Sequence, residues 1–126
     1  MQNIFYKITL IICTYNRDKY LPEALESIRK QTIDANAFQL VIVDNNSTDN
    51  TALIAKNFIT ANPQLNVKYA FETNKGLSFA RNRGINEADA SIICYVDDDA
   101  ILSPDFLNAV LDFYTNYPQA VGGGGK

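Results

Sequence analysis

Residues 91–99 have the sequence SIICYVDDD, in which an apolar run is followed at once by three carboxylates. The β-branched and aromatic residues of the run are typical of a strand that is buried on both faces. Three adjacent aspartates repel one another unless a proton or a cation compensates their charge. The segment therefore predicts a buried strand that leads directly into an acidic site.

Three further apolar runs precede this one and are separated by amphipathic stretches. We predict strands at residues 7–13, 38–43, 67–71 and 91–96, and helices near residues 21–31, 49–61, 77–87 and 104–114. This alternation predicts an α/β domain with a mostly parallel sheet and helices on both faces.

Two of the predicted helices carry local signals, one for where the helix begins and one for the side that it buries. Ser103, followed by a proline and an acid, predicts the start of the last helix, with the serine hydroxyl as its cap. The helix at residues 77–87 is predicted to present Ala80, Ile85 and Ala88 on one side. Gly84 counts against this helix because glycine is a poor helix former.

The composition excludes several classes of protein. Of the 126 residues, 47% are hydrophobic, which fits one globular domain. The net charge is −3, which is not typical of a protein that binds nucleic acid. No apolar run approaches the ~20 residues of a membrane span. The chain has no histidine, and its two cysteines, Cys13 and Cys94, lie in apolar runs and are expected to be buried thiols.

Polar clusters follow three of the four predicted strands. Residues 14–17 (Thr-Tyr-Asn-Arg) follow the first strand, Asp44 the second, and residues 97–99 the fourth. Because the carboxyl ends of parallel strands meet at one edge of a sheet, the clusters are expected to form one composite site. Carboxylates suit Mg²⁺ or Mn²⁺, and Arg17 offers a phosphate partner, although Asp44 alone could equally be a turn or cap residue. The glycine patterns of phosphate-binding loops are missing after strand one.

Taken together, four segments resemble the family-2 glycosyltransferases of the GT-A fold. They are Thr14-Tyr15-Asn16-Arg17; Val43-Asp44-Asn45-Asn46-Ser47-Thr48-Asp49; Asn74-Lys75-Gly76-Leu77-Ser78-Phe79-Ala80-Arg81-Asn82-Arg83-Gly84; and Val96-Asp97-Asp98-Asp99. The resemblance implies a Rossmann-like GT-A sheet, incomplete in this chain. It also implies an inverting transferase that uses a nucleotide diphosphate-sugar, usually with Mn²⁺ or Mg²⁺.

The resemblance also implies roles for individual residues at a nucleotide site. Thr14 and Asp44 would contact the base, and Tyr15, Asn16 and Arg17 would complete that part of the pocket. Arg81 would lie near the base or the phosphates. Either Asp97 or Asp98 would bind the ribose, and Asp99 would be the metal ligand of this DxD-type motif.

The resemblance assigns residues 1–126 to the N-terminal, donor-binding part of the domain. The general base is expected beyond Lys126, so the chain is expected to bind a donor, with a UDP-sugar favoured, without transferring the sugar. The acceptor would be a polysaccharide, a lipid-linked glycan or a protein glycan. The expected location is the cytoplasm, including the inner face of the membrane, with no membrane segment in the chain.

Three other functions compete with this one. A catalytically inactive nucleotide-sugar-binding module would have the same motifs. A haloacid-dehalogenase-type phosphatase would need its acidic motif after strand one and would not have Ile101 at the fifth position. A receiver domain would need an acidic pair after strand one, where the chain has Thr14, Tyr15 and Asn16.

Overall fold

The computed structural model describes residues 6–118, so the two ends of the predicted 1–126 domain lie outside the described residues. Strands and helices alternate as predicted, and their ends differ from the predicted ones by at most two residues. They are β1 (Ile8–Thr14), α1 (Leu21–Arg29), β2 (Phe38–Asp44), α2 (Thr51–Ala61), β3 (Asn66–Phe71), α3 (Leu77–Glu87), β4 (Ile93–Asp97) and α4 (Phe106–Asn116).

The four strands form one parallel sheet in the order β3-β2-β1-β4. The last residues of the central strands pair directly, with Thr14 opposite Asp44 and Cys13 opposite Asp97. All four strands therefore end at one edge of the sheet, and the polar segments that follow them meet there.

Helices cover both faces of the sheet, as predicted. One face is buried by α1, α2 and α4 through residues such as Leu25, Ala55 and Leu107. The opposite face carries α3, whose Ala80 packs with Ile11 of β1. Successive strand residues point to opposite faces, so each central strand contributes to both cores and is mostly apolar.

The inward face of α3 differs from the prediction. Ala80 and Gly84 are the buried residues of this helix, whereas Ile85 is 47% exposed and Ala88 follows the last helical turn. A Cβ at position 84 would lie 2.6 Å from Cγ2 of Ile11. Gly84 thus permits the close approach of α3 to β1 and does not argue against the helix.

The start of α4 also differs from the prediction. The helix begins at Phe106, and Asp105, not Ser103, is its N-cap residue. Gln31, just after α1, accepts the Leu107 N–H at 3.0 Å and donates to the Ser103 carbonyl at 2.7 Å. The side chain of Gln31, which is distant in sequence, therefore accepts the hydrogen bond of an N–H in the first turn of α4. The sequence predicted the Ser103 hydroxyl for this capping role.

The two cysteines are half-buried and free, not fully buried as expected. Burial raises the pKa of both thiols, so both stay protonated near neutral pH. None of the helices within residues 6–118 combines the length and the apolar character that a membrane crossing requires.

Candidate functional site

A pocket of about 440 Å³ opens at the carboxyl edge of the sheet. Its walls come from the segments after all four strands, so the predicted convergence of the polar clusters is observed. The lining residues are Cys13, Thr14, Tyr15, Arg17, Asn45, Lys75, Gly76, Leu77, Ala80 and Asp98.

One side of the pocket carries an arginine between two carboxylates. Nε of Arg17 lies 3.4 Å from Oδ1 of Asp98, and its Nη2 lies 3.8 Å from Oδ2 of Asp99. Burial raises the pKa of Asp98, while the Thr14 hydroxyl and the Arg17 guanidinium lower it and the neighbouring aspartates raise it further. The sequence predicted each of these groups but not the contact between Arg17 and the acidic cluster.

Thr14 places a hydroxyl at the floor of the pocket. The residue is 2% exposed, and among residues 6–118 its Oγ1 has no hydrogen-bond partner of good geometry. It lies close enough to Asp98 to lower the pKa of that carboxyl. A buried hydroxyl without a partner is unfavourable, so Thr14 is suited to bond a polar group that enters the pocket.

Asp44 lies beneath the pocket and not on its surface. It is fully buried, and it accepts hydrogen bonds from the Ser47 N–H at 2.9 Å and from the Tyr69 hydroxyl at 2.7 Å. Burial and Asp44 together raise the pKa of Tyr69, which keeps the phenol a donor. The predicted base contact of Asp44 stays a prediction, and the structure adds a role in holding the β2–α2 loop to β3.

Asn16 connects the loops that follow β1 and β2. Its Oδ1 accepts the Thr48 N–H at 2.8 Å, and its own N–H donates to Oγ of Ser47 at 2.9 Å. Its φ is +50°, in the left-handed region that asparagine tolerates better than most residues. Asn16 does not line the pocket, but it fixes the backbone between Tyr15 and Arg17, which do.

We expect Asn16→Ala to lower the free energy of unfolding by about 2 kcal/mol. The substitution removes the side-chain hydrogen bond to Thr48 and leaves alanine in the left-handed backbone conformation, which alanine adopts less readily than asparagine. Asn16→Gly removes the same bond without the strain and is expected to cost about 1 kcal/mol less. Urea denaturation of both variants measures the difference. Equal stability of the two variants would contradict the role assigned to the left-handed backbone.

Three other predicted site residues, Arg81, Asp97 and Asp99, are not among the residues that line the pocket. Arg81 is exposed on α3, and its guanidinium carbon lies 5.4 Å from the centre of the Tyr95 ring on β4. Asp97 is exposed, whereas Asp98 is buried and lines the pocket. The nucleotide contacts of Arg81 and Asp97 stay predictions.

The pocket also contains residues for which the sequence predicts no role. Asn45 donates to the Asn74 carbonyl at 2.8 Å and accepts the Gly76 N–H at 3.0 Å. Lys75 lies over the ring of Tyr15. These residues belong to the motif segments, but only the strand order shows that the segment after β3 closes the same pocket. Cys13, expected in the core, also lines it.

The acidic cluster has the ligand chemistry of a divalent cation site without a complete ligand set. Asp99 is exposed, and its hard carboxylate oxygens suit Mg²⁺ or Mn²⁺. Within residues 6–118 no three His, Cys, Asp or Glu side chains come together as a metal cage. Mg²⁺ is commonly held by one or two carboxylates together with substrate phosphates, and the residues present fit that arrangement.

Comparison with solved structures defines the fold. A crystal structure of Staphylococcus aureus TarS 1–349 in complex with UDP matches with a TM-score of 0.81 at 28% identity, over 95% of this chain and 38% of that one. The mannosyltransferase PcManGT from Pyrobaculum calidifontis, in complex with GDP-Man and Mn²⁺, matches with a TM-score of 0.79 at 30% identity, over 85% and 32% of the two chains. The fold is that of the GT-A glycosyltransferases, present here as part of that domain.

Comparison of sequences then identifies the family. The model of glycosyl transferase family 2 matches residues 9–125, and the chain belongs to this family. The minor teichoic acid biosynthesis protein GgaB of Bacillus subtilis (strain 168) is 34% identical over 116 residues, which are 92% of this chain and 13% of GgaB. The chain therefore spans a small part of its relatives. Family membership counts against the phosphatase and receiver-domain alternatives.

Proposed function

We propose that this chain forms the donor site of a glycosyltransferase that moves a sugar from a nucleotide diphosphate-sugar to an acceptor hydroxyl. The observation that carries the proposal is the pocket at the carboxyl edge, where Arg17 lies beside Asp98 and Asp99 and the Thr14 hydroxyl has no partner of good geometry within residues 6–118. These groups offer donors, acceptors and metal ligands within one cavity large enough for a nucleotide.

The roles proposed for the acidic cluster follow from burial. Asp98 lines the pocket and is 8% exposed, so it is the better placed of the two candidates to accept the ribose hydroxyls. Asp99 is more exposed and would hold Mn²⁺ or Mg²⁺. A cation there neutralises the negative charge that develops on the diphosphate leaving group. Arg17, which contacts both carboxylates, would turn to the phosphates.

The donor class is supported by the relatives. The TarS structures contain UDP and UDP-GlcNAc, and the PcManGT structure contains GDP-Man with Mn²⁺. We propose a UDP-sugar as the donor and a polysaccharide, a lipid-linked glycan or a protein glycan as the acceptor. The general base is expected outside residues 1–126, and the protein is expected to work in the cytoplasm or at the inner face of the membrane.

Calorimetric titration of the 126-residue chain with UDP, with and without Mn²⁺, tests the donor site. Asp99→Ala is expected to weaken Mn²⁺-dependent binding by roughly 10- to 100-fold, the range found even for residues that only support metal ligands. The matched control is Asp112→Ala, which removes an exposed carboxylate from α4. UDP binding of equal strength without metal, or in Asp99→Ala, would contradict the role of the acidic cluster.

A sugar-transfer assay separates this proposal from a catalytically inactive binding module. If the chain supplies the donor site alone, UDP should bind without turnover. Robust transfer by residues 1–126 would refute the expectation that the base lies elsewhere. If this chain, extended by the remainder of a family-2 transferase domain, bound UDP but transferred no sugar, the binding-module alternative would replace the transferase.

A further inference from the structure

The part of the pocket that follows β3 carries a lysine on a tyrosine ring. Nζ of Lys75 lies 5.2 Å from the centre of the Tyr15 ring and 3.5 Å from its hydroxyl oxygen. Both side chains line the pocket and are exposed within it. An ammonium over an aromatic face is attracted by the ring, so the Lys75 head group is held at this position.

The backbone around Lys75 is fixed by a buried amide. The Asn45 side chain donates to the Asn74 carbonyl at 2.8 Å and accepts the Gly76 N–H at 3.0 Å. Asn45 is 7% exposed, and its own N–H donates to the Thr14 carbonyl at 2.8 Å. The residues on either side of Lys75 are thus tied to the ends of β1 and β2.

The strand order decides which part of a nucleotide Lys75 would meet. Lys75 follows β3 and Asp98 follows β4, and these two strands are the opposite edges of the sheet. The ends of these two strands are three strand spacings apart, about 14 Å, and the Lys75 side chain extends from β3 back to Tyr15, which follows β1. The pocket next to Lys75 is lined by the apolar Leu77 and Ala80. With the ribose and diphosphate at the acidic end, the base is the part that reaches this apolar end.

We propose that Lys75 is a specificity-determining residue that donates a hydrogen bond to a ring carbonyl of the nucleobase. This inference rests on the proposed function and names the base class that the same site selects. An ammonium has three donors and no acceptor. It therefore favours the O4 carbonyl of uracil or the O6 carbonyl of guanine, and disfavours the amino groups that cytosine and adenine carry at the corresponding positions.

The inference is tested by titrating wild type and Lys75→Met with UDP, CDP and UMP. Wild type is expected to bind UDP more tightly than CDP. Lys75→Met is expected to weaken UDP and UMP binding by a similar factor, roughly tenfold, because one charge-assisted bond is lost, and to leave CDP within about twofold. Lys75→Arg retains the donors and is expected to keep the preference for UDP.

Lys56→Met is the matched control. Lys56 also lies 5.2 Å from the centre of a tyrosine ring, that of Tyr69, but it does not line the pocket. The substitution makes the same change in charge and in ring contact, and is expected to leave the UDP-to-CDP ratio unchanged. Because Lys75 and Lys56 are both exposed, both variants are expected to melt at the wild-type temperature.

Two results would overturn the inference alone. One is an unchanged UDP-to-CDP ratio in Lys75→Met. The other is a loss that is equal for UDP and CDP and much smaller for UMP, which would place Lys75 on the second phosphate. If wild type bound no nucleoside diphosphate with Mn²⁺ present, the proposed function would fail, and this inference with it.

Discussion

Asp44→Ala is expected to lower the free energy of unfolding by about 3 kcal/mol, because it removes a buried carboxylate that accepts two hydrogen bonds, each worth about 1.5 kcal/mol. The donors are the Ser47 N–H, at 2.9 Å, and the Tyr69 hydroxyl, at 2.7 Å, and Asp44 is fully buried between them. For a domain of this size the loss corresponds to a fall in melting temperature of roughly 10 °C. Thermal and urea denaturation of the two proteins measure it.

Asp44→Asn separates the structural role from the predicted base contact. The amide keeps the shape of the carboxylate and one acceptor for Ser47, and the Tyr69 hydroxyl can turn to accept from its NH₂ group. We expect a cost of about 1 kcal/mol in stability together with weaker UDP binding. If Asp44→Asn bound UDP like wild type while Asp44→Ala was destabilised, Asp44 would be a loop-holding residue only.

Gly84→Val is expected to destabilise the protein by about 3 kcal/mol through overpacking between α3 and β1. Even the Cβ alone would lie 2.6 Å from Cγ2 and 3.2 Å from Cδ1 of Ile11. Ile11 is fully buried and β-branched, so it cannot rotate away cheaply. Gly84→Ala should cost less, since alanine recovers about 1 kcal/mol of helix propensity. Chemical denaturation measures both changes.

A double-mutant cycle with Ile11→Ala identifies the clash as the cause. Removing Cγ2 of Ile11 opens the space that the new Cβ needs, so the two substitutions are expected to compensate by about 1–2 kcal/mol. Asn82→Val, at an exposed position of the same helix, is the control for a valine in α3 that does not face Ile11. Strict additivity of Gly84→Ala and Ile11→Ala would show that close packing is not the reason for the glycine.

Overpacking at Gly84 is also expected to change the shape of the pocket. The same helix begins at Leu77 and contributes Leu77 and Ala80 to the lining. A displacement of α3 would therefore move one wall of the site without touching Asp98 or Arg17. UDP binding by Gly84→Ala, measured where the variant is still folded, should weaken along with stability.

The sequence by itself determined the alternation of strands and helices. Short, largely apolar and β-branched runs such as residues 38–43 are typical of central strands of a covered sheet, and the helical periodicity between the runs predicts helical connections. The alternation also placed Thr14, Asp44 and the acidic cluster at one edge, because parallel strands end together. The spacing of apolar residues along the chain sets these features, and this spacing can be read from short stretches of sequence.

The tertiary structure decided which side chains meet at that edge. The order β3-β2-β1-β4 cannot be predicted from the alternation of strands and helices, and it places the segments that carry Lys75 and Asp98 after the two edge strands. The start of α4 and the buried face of α3 differ from the predictions for the same reason. Gln31 bonds to α4 across the fold, and the close packing of Ile11 against α3 leaves no room for a Cβ at position 84. Contacts between residues distant in the chain depend on packing that no local pattern encodes. The sequence could therefore predict an acidic site at residues 97–99, but only the fold could distinguish the exposed Asp97 from the buried Asp98 beside Arg17.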